Sequence, residues 1–238
     1  MSARLLALCC LVISVCTPSW AASQRPSTAR LAVYLKTQPS QSIRPLNAMK
    51  RELERLMQTA GYALEWSGSQ DSKVDTGAFL AVVELRGDCE APAGMPPGGA
   101  TLSSAADLAS TFVSDGRVLP FSWINCGNLT KLLSSALTDQ PGARADFILG
   151  RAIARLLAHE FYHMLMQTRE HTGSGISKPC FNARDLLAES FEFERSALAE
   201  LQLCPAGRTQ RDAARTPALD AEALESVPGR NGTDRQIR

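Results

Sequence analysis

Residues 143–168 have the sequence ARADFILGRAIARLLAHEFYHMLMQT, in which apolar side chains recur at helical spacing. The apolar positions cover more than one face of the predicted helix. A helix that is apolar on most sides is usually buried within a protein. We therefore predict that this helix lies at the centre of the fold, with the other elements packed around it.

This helix contains His159-Glu160-Phe161-Tyr162-His163, an H-E-x-x-H motif. Side chains four residues apart lie on one face of a helix, so His159 and His163 can hold one ion between them. Neutral imidazole is the commonest zinc ligand in proteins, and a glutamate beside the first histidine can act on a water at the metal. The motif predicts a Zn²⁺ site with Glu160 as its general base.

The third ligand is less directly determined by the sequence. A catalytic zinc usually takes three protein ligands, and the remaining histidine is His171. On a straight helix His171 would lie about 12 Å beyond His163, so the helix must end near residue 168 and the chain must turn back. The rival ligand is Glu189 on the next predicted helix, with Glu192 and Glu194 as weaker candidates. We also expect Glu189 or Asp185 to accept the second N–H of a ligand histidine.

The start of the chain predicts export. Residues 1–22 combine Arg4, a short apolar stretch and small residues around Ala21, which is typical of a signal peptide. No later segment is long and apolar enough to cross a bilayer. We expect a secreted or periplasmic protein without a membrane span in its mature chain.

Four cysteines follow the signal segment, and an even number in an exported protein favours two disulfides. Three pairings are possible. We predict Cys89–Cys126 before the motif helix and Cys180–Cys204 after it.

The remaining pattern predicts an α+β domain over residues 23–206 and a disordered tail over residues 207–238. In this domain a small mixed sheet packs on the motif helix, and another helix follows it. Asp115-Gly116 lies between two apolar runs and predicts a hairpin turn. We expect strands at 31–35, 62–66, 78–85, 108–113 and 117–124, and helices at 45–60, 129–137 and 185–203.

The net charge and the distribution of basic residues argue against one class of binding partner. The formal net charge is +1, and no stretch concentrates basic residues, so a nucleic acid partner is not expected. We expect a monomer.

The motif residues make the chain resemble the zincin metallopeptidases, and the third histidine makes it more similar to metzincins than to thermolysin-like enzymes. The resemblance covers residues 159–171. Metzincins place a glycine three residues after the second histidine and a third histidine three residues later. Here Met166 stands in the glycine position and His171 comes two residues further on, and no methionine follows Met166 to form the Met-turn of that group. The stretch is also similar to a family of exported bacterial proteins, which would make Gly175 and Lys178 family features.

The resemblance implies a zincin-like fold and a zinc metallopeptidase, an endopeptidase rather than an exopeptidase. In this reading Zn²⁺ is held by His159, His163 and His171, Glu160 is the catalytic base, and the substrate is a peptide or protein. A strand edge within residues 112–124 would pair with the substrate backbone. The alternative is a zincin-fold protein that binds metal or a partner without proteolysis. The candidates for stabilising the transition state are Tyr34, Tyr62, Lys178 and Arg184.

Overall fold

The computed structural model describes residues 28–39, 41–67, 79–91, 108–138, 140–208 and 235–236. The predicted signal peptide and most of the predicted tail lie outside these residues. The strands are β1 (Ala29–Lys36), β2 (Tyr62–Ser67), β3 (Phe79–Arg86), β4 (Ala109–Ser114), β5 (Arg117–Asn125) and β6 (Arg235–Gln236). The helices are α1 (Ile43–Thr59), α2 (Cys126–Leu132), α3 (Ser134–Thr138), α4 (Gly142–Met166), α5 (Ala183–Leu187) and α6 (Arg195–Arg208).

The strands form one mixed sheet in the order β2-β1-β3-β5-β4-β6. Strands β2, β1, β3 and β5 run parallel to one another. Strand β4 is antiparallel to both β5 and β6. The sheet is therefore parallel except at the side where β4 lies, and the prediction of a mixed sheet packed on helices is confirmed.

Helices α1 and α4 pack against each other, and α4 also contacts β4 and β5. Gly150 permits the close approach of the two helices, because an added Cβ would lie 2.5 Å from the carbonyl oxygen of Pro45. Helix α4 is buried along most of its length, as its apolar pattern predicted. The motif helix is thus enclosed by α1, the sheet and the segment that follows it.

The conformation of the turn between β4 and β5 is explained by the two residues that form it. Asp115 and Gly116 have φ values of 50° and 77°, the left-handed conformation that a two-residue hairpin turn of this type requires. The pairing shifts register between Thr111 and Val113. Such a shift changes the direction in which nearby side chains point.

The predicted helix over residues 185–203 is wrong, because the chain forms two helices there. Ala188 is extended, with φ −51° and ψ 145°, and ends α5. Arg151 on α4 donates through Nη2 to the carbonyl oxygens of Ala188 and Glu189, at 2.6 and 2.8 Å. These carbonyls are bonded to an arginine side chain, which the local helical pattern could not reveal.

Two other boundaries differ from the predictions. The helix predicted over residues 129–137 divides into α2 and α3. It also begins earlier than predicted, because the Asn125 side chain caps α2 by accepting from the backbone N–H of Asn128. Helix α6 continues to Arg208, and β6 lies within the predicted tail. The predicted domain boundary at residue 206 therefore falls inside α6. None of the helices that the structure describes could cross a membrane on grounds of length and hydropathy.

One of the two predicted disulfides is present. Cys89 and Cys126 are bonded, with their Cα atoms 4.9 Å apart, and join the segment after β3 to the start of α2. The predicted Cys180–Cys204 bond is wrong, since both residues are free. Cys204 Sγ instead donates to the carbonyl oxygen of Leu165 at 3.3 Å, while Cys180 is exposed.

Candidate metal centre

The structure brings His159, His163 and His171 together. One ring nitrogen from each residue can face a shared point, and these three atoms all lie within 4.8 Å of one another. His159 and His163 stand four residues apart on α4 and are buried, while His171 is partly buried. The predicted grouping of the three histidines is confirmed as a geometric arrangement.

The end of α4 explains how His171 reaches the other two. Gln167 adopts the left-handed conformation, with φ 51° and ψ 39°, and its N–H bonds to the carbonyl oxygen of His163. The N–H of Thr168 bonds to the same carbonyl at 3.3 Å. This cap reverses the chain one residue after Met166, so the longer spacing before His171 still returns the ring to the helix.

Backbone carbonyls fix which nitrogen carries the proton in the two helix histidines. His159 Nδ1 lies 2.7 Å from the carbonyl oxygen of Ile176, and His163 Nδ1 lies 2.9 Å from that of Thr168. A carbonyl oxygen can only accept, so each Nδ1 carries a hydrogen and each Nε2 carries a lone pair. The expected carboxylate partners, Glu189 or Asp185, do not have this role.

The two Nε2 atoms therefore face each other without a hydrogen bond between them. They lie 3.0 Å apart, and two lone pairs at that distance repel. The buried Nε2 of His171 also has no hydrogen-bond partner among the described residues. Buried polar atoms are normally paired, and a cation shared by the three rings would supply the missing partner.

A proton does not serve as that cation at neutral pH. Burial, with the neighbouring His163 and His171, lowers the pKa of His159 to about 3. Burial likewise lowers the pKa of His163 to about 4, and it lowers the pKa of His171. The three rings are neutral at pH 7, which is the state that binds a metal ion.

The donor set fits zinc. Three imidazole nitrogens are a known catalytic zinc ligand set, with N–Zn bonds of ~2.0–2.1 Å and nitrogens about 3.3 Å apart in a tetrahedral site. His159 and His163 already meet that spacing closely. The largest separation within the group, which involves His171, is at most 4.8 Å.

A short bridge holds the carbonyl that orients His159. Gly175 pairs with Phe193, and the N–H of Ile176 donates to the carbonyl oxygen of Glu192 at 2.9 Å. Gly175 has φ 67°, and an added Cβ would lie 2.4 Å from the Glu192 oxygen. Only glycine fits this position, which gives the glycine singled out in the sequence a structural role.

Glu160 is buried on the side of α4 that faces the sheet. One of its oxygens, Oε2, accepts a hydrogen bond of 2.6 Å from the Thr111 hydroxyl on β4. Burial raises the pKa of Glu160 to about 8, and the hydrogen bond from Thr111 opposes this effect. The predicted base is thus next to a predicted ligand and tied to the sheet by one oxygen.

The rival ligands lie elsewhere. Glu189 is exposed, Glu192 pairs with Arg55 at 2.8 Å, and Glu194 accepts from Ser174. None of the three belongs to the histidine group. Their positions favour His171 over Glu189 as the third ligand.

Among the candidate stabilising residues, two are already engaged. The Tyr62 hydroxyl donates to the carbonyl oxygen of Leu201 at 3.3 Å. Lys178 pairs with the Asp185 carboxylate at 2.6 Å, and that carboxylate also caps α5. The geometry of these two side chains does not direct them to the histidines.

A buried charge cluster on α4 was not predicted from the sequence. Arg155 is fully buried, donates to the carbonyl oxygens of Asp185 and Leu186 and lies 3.5 Å from the Glu52 carboxylate. With Arg151 it fixes the segment that follows the metal centre. The available signal was two arginines four residues apart within the apolar stretch 147–158 of the helix.

No protein-family model, curated protein sequence or solved structure matches this chain.

Proposed function

We propose that this protein is an exported zinc-dependent peptidase with His159, His163 and His171 as its metal ligands. The proposal rests on the arrangement of the three ring nitrogens. The Nε2 atoms of His159 and His163 lie 3.0 Å apart with their lone pairs facing each other, and the Nε2 of His171 has no hydrogen-bond partner among the described residues. Such a group is unfavourable without a cation and favourable with one. A resident divalent ion would act as a Lewis acid toward a peptide carbonyl and make a water more acidic.

Glu160 would then perform the proton transfers. It follows His159 directly on α4 and has one oxygen, Oε1, that is not bonded to Thr111. In its ionised form, which a nearby divalent cation would favour, Glu160 would take a proton from the attacking water as the water oxygen bonds to the peptide carbonyl carbon. It would return that proton to the nitrogen as the C–N bond breaks. The products are a carboxylic acid and an amine.

The stretch predicted to pair with a substrate backbone, residues 112–124, lies in strands that are internal to the described sheet. Strand β5 is internal, so the part of residues 112–124 that belongs to β5 has no free edge. The outer side of β4 pairs with β6 at Phe112 and Val113.

Export is supported by the signal-like sequence of residues 1–22 and by the Cys89–Cys126 disulfide. Disulfides persist mainly in oxidising compartments. The proposed location is the periplasm or the cell exterior.

A second candidate function is metal binding without proteolysis. The observation that favours it is the burial of Glu160, whose side chain is only slightly exposed. A base must reach a water and a substrate, and deep burial restricts that access.

Metal analysis and one substitution distinguish these functions. We expect the purified protein to bind one Zn²⁺ per chain and to hydrolyse unfolded casein, with the activity lost on chelation and restored by zinc. Glu160→Gln should keep the zinc and lose at least about 100-fold in rate, while Glu189→Gln should keep both. Stoichiometric zinc without hydrolysis of casein or a peptide library would support the second function. Absence of bound zinc would contradict both.

A further inference from the structure

Thr111 and Glu160 form a buried polar pair between the sheet and α4. Thr111 is 0% exposed on β4, and its Oγ1 donates to Glu160 Oε2 at 2.6 Å. This is a short hydrogen bond between two buried side chains. The second contact of the hydroxyl, 3.5 Å from the backbone oxygen of Glu160, is long. The side-chain contact is therefore the main one.

The surroundings make this hydrogen bond costly to lose. The neighbouring buried sheet residues are mostly apolar, including Val83, Val113 and Ile124. A buried hydroxyl or carboxyl group without a partner in such an environment is destabilising. The register shift after Thr111 lies where this side chain meets the helix. Bulges of this kind redirect side chains beside functional sites.

We propose that Thr111 is the positioning residue of Glu160, an inference that rests on the proposed peptidase function. The hydroxyl has a single hydrogen and gives it to Oε2. This fixes the rotation of the carboxylate about its last bond and leaves Oε1 as the oxygen that exchanges a proton with water. Thr111 touches neither the substrate nor the ligand histidines and acts only through Glu160.

The chain offers a matched control in Ser122. Ser122 pairs directly with Thr111 across β4 and β5 and is also buried, but its Oγ has no hydrogen-bond partner among the described residues. Ser122→Ala removes a hydroxyl from the same layer of the core without breaking a bond to Glu160. It separates the effect of the hydrogen bond from the effect of disturbing the sheet.

The first measurement needs neither metal nor activity. In the full-length, metal-free protein we would measure the unfolding midpoint of Thr111→Val, Glu160→Met and the double variant. Because Val keeps the shape of Thr without its hydroxyl, we expect Thr111→Val to lower the midpoint clearly in wild type and much less in the Glu160→Met background. Equal losses in both backgrounds would show that Thr111 acts independently of Glu160 and would overturn the proposal.

The second measurement is hydrolysis of the zinc-loaded protein. We expect Thr111→Val to lower kcat at least about 10-fold with KM changed less than about twofold, since misplacing a catalytic group can cost up to ~10²-fold. Thr111→Ser should restore most of kcat, Ser122→Ala should stay near wild type, and zinc stoichiometry should be unchanged throughout. An unchanged kcat in Thr111→Val, or no recovery in Thr111→Ser, would overturn the positioning role alone. A zinc-loaded wild type without hydrolysis would overturn the proposed function, and the positioning role with it, even if the unfolding measurement showed coupling.

Discussion

His163 and Thr168 are joined by two hydrogen bonds that run in opposite directions. The N–H of Thr168 donates to the backbone oxygen of His163 at 3.3 Å, and His163 Nδ1 donates to the backbone oxygen of Thr168 at 2.9 Å. The residue pair that ends helix α4 thus also orients the second histidine of the motif. Helix termination and the orientation of the His163 ring are consequently one structural feature in this protein.

This relationship predicts that the conformation of Gln167 controls metal binding. Gln167 has φ 51°, which is costly for a β-branched residue. We expect Gln167→Val to destabilise the protein by about 1–2 kcal/mol and to weaken zinc binding at least about 10-fold. Gln167→Gly removes the backbone cost, and it also removes the hydrogen bonds of the side chain to Val118 and Met164. Because these bonds do not involve His163 or Thr168, the zinc affinity of this variant should stay near wild type. Competition with a chromophoric chelator measures both affinities, and equal affinities for Val and Gly would contradict the prediction.

Replacing His171, the proposed third ligand, should weaken zinc binding much more than replacing its rival, Glu189. We expect His171→Gln to weaken zinc binding by more than about 100-fold, since changes in groups that only support ligands already cost 10–100-fold. Glu189→Gln should leave the affinity unchanged, because Glu189 is exposed. Isothermal titration with zinc provides the comparison. A larger loss in Glu189→Gln than in His171→Gln would reinstate the carboxylate as the ligand.

Gly175 should be far less tolerant of substitution than Gly173. A Cβ at Gly175 would lie 2.4 Å from the oxygen of Glu192, whereas a Cβ at Gly173 would meet nothing within 4 Å. Gly175→Ala should break the bridge to Phe193 and release the carbonyl of Ile176 from His159. We expect a lower unfolding midpoint and a zinc affinity weaker by about 10–100-fold. Gly173→Ala should match wild type in both measurements, and a similar loss in the two variants would show that the bridge is unimportant.

The Glu52 cluster predicts a loss of stability in acid. Burial acts to raise the pKa of Glu52, but the hydrogen bond from Arg55 and the charges of Arg55, Arg155 and Arg151 outweigh it, so the pKa is lowered. A carboxyl group with a lowered pKa in the folded state contributes stability above its unfolded pKa of about 4.3 and loses it as the pH falls through the folded value. At pH 7 we expect Glu52→Gln to cost at least about 2 kcal/mol, because it leaves buried guanidinium groups without their carboxylate.

Urea unfolding between pH 7 and pH 3 tests this prediction. The difference in unfolding free energy between wild type and Glu52→Gln should be constant from pH 7 to about pH 5 and shrink below the unfolded pKa. Glu65→Gln is the control, since its ion pair with Arg30 is half exposed with a separation of 3.7 Å and should contribute less than about 1 kcal/mol. A difference for Glu52→Gln that does not change with pH would contradict the lowered pKa.

The disulfide should contribute strongly to stability, and the two free cysteines should not. Cys89 and Cys126 are 37 residues apart, and closing a loop of that length stabilises a protein by about 4 kcal/mol in the chain-entropy estimate. We expect replacement of both by Ala to lower the unfolding free energy by a value of this order. Replacing Cys180 and Cys204 by Ser should have little effect. Peptide mass mapping without reduction should recover Cys89 linked to Cys126, and a Cys180–Cys204 peptide would contradict the structure.

Several elements were predictable because their causes are local. The apolar spacing of residues 45–60 and 143–168 predicted α1 and α4, and Asp115-Gly116 predicted the hairpin. The predicted helix over residues 185–203 failed for the opposite reason. Its carbonyls at Ala188 and Glu189 bond to Arg151, about 37 positions earlier in the chain, and no local pattern carries that information.

The candidate site likewise combines features that the local sequence determined with features that only the tertiary structure decided. The sequence by itself determined that His159 and His163 share one face of a helix and that Glu160 stands beside them, because helical periodicity acts over a few residues. Only the tertiary structure decided that His171 completes the group, that the carbonyls of Ile176 and Thr168 orient the rings, and that Thr111 bonds to Glu160 from 49 residues away. These contacts depend on how α4, the sheet and the following segment pack together, and packing joins residues that the chain order keeps apart.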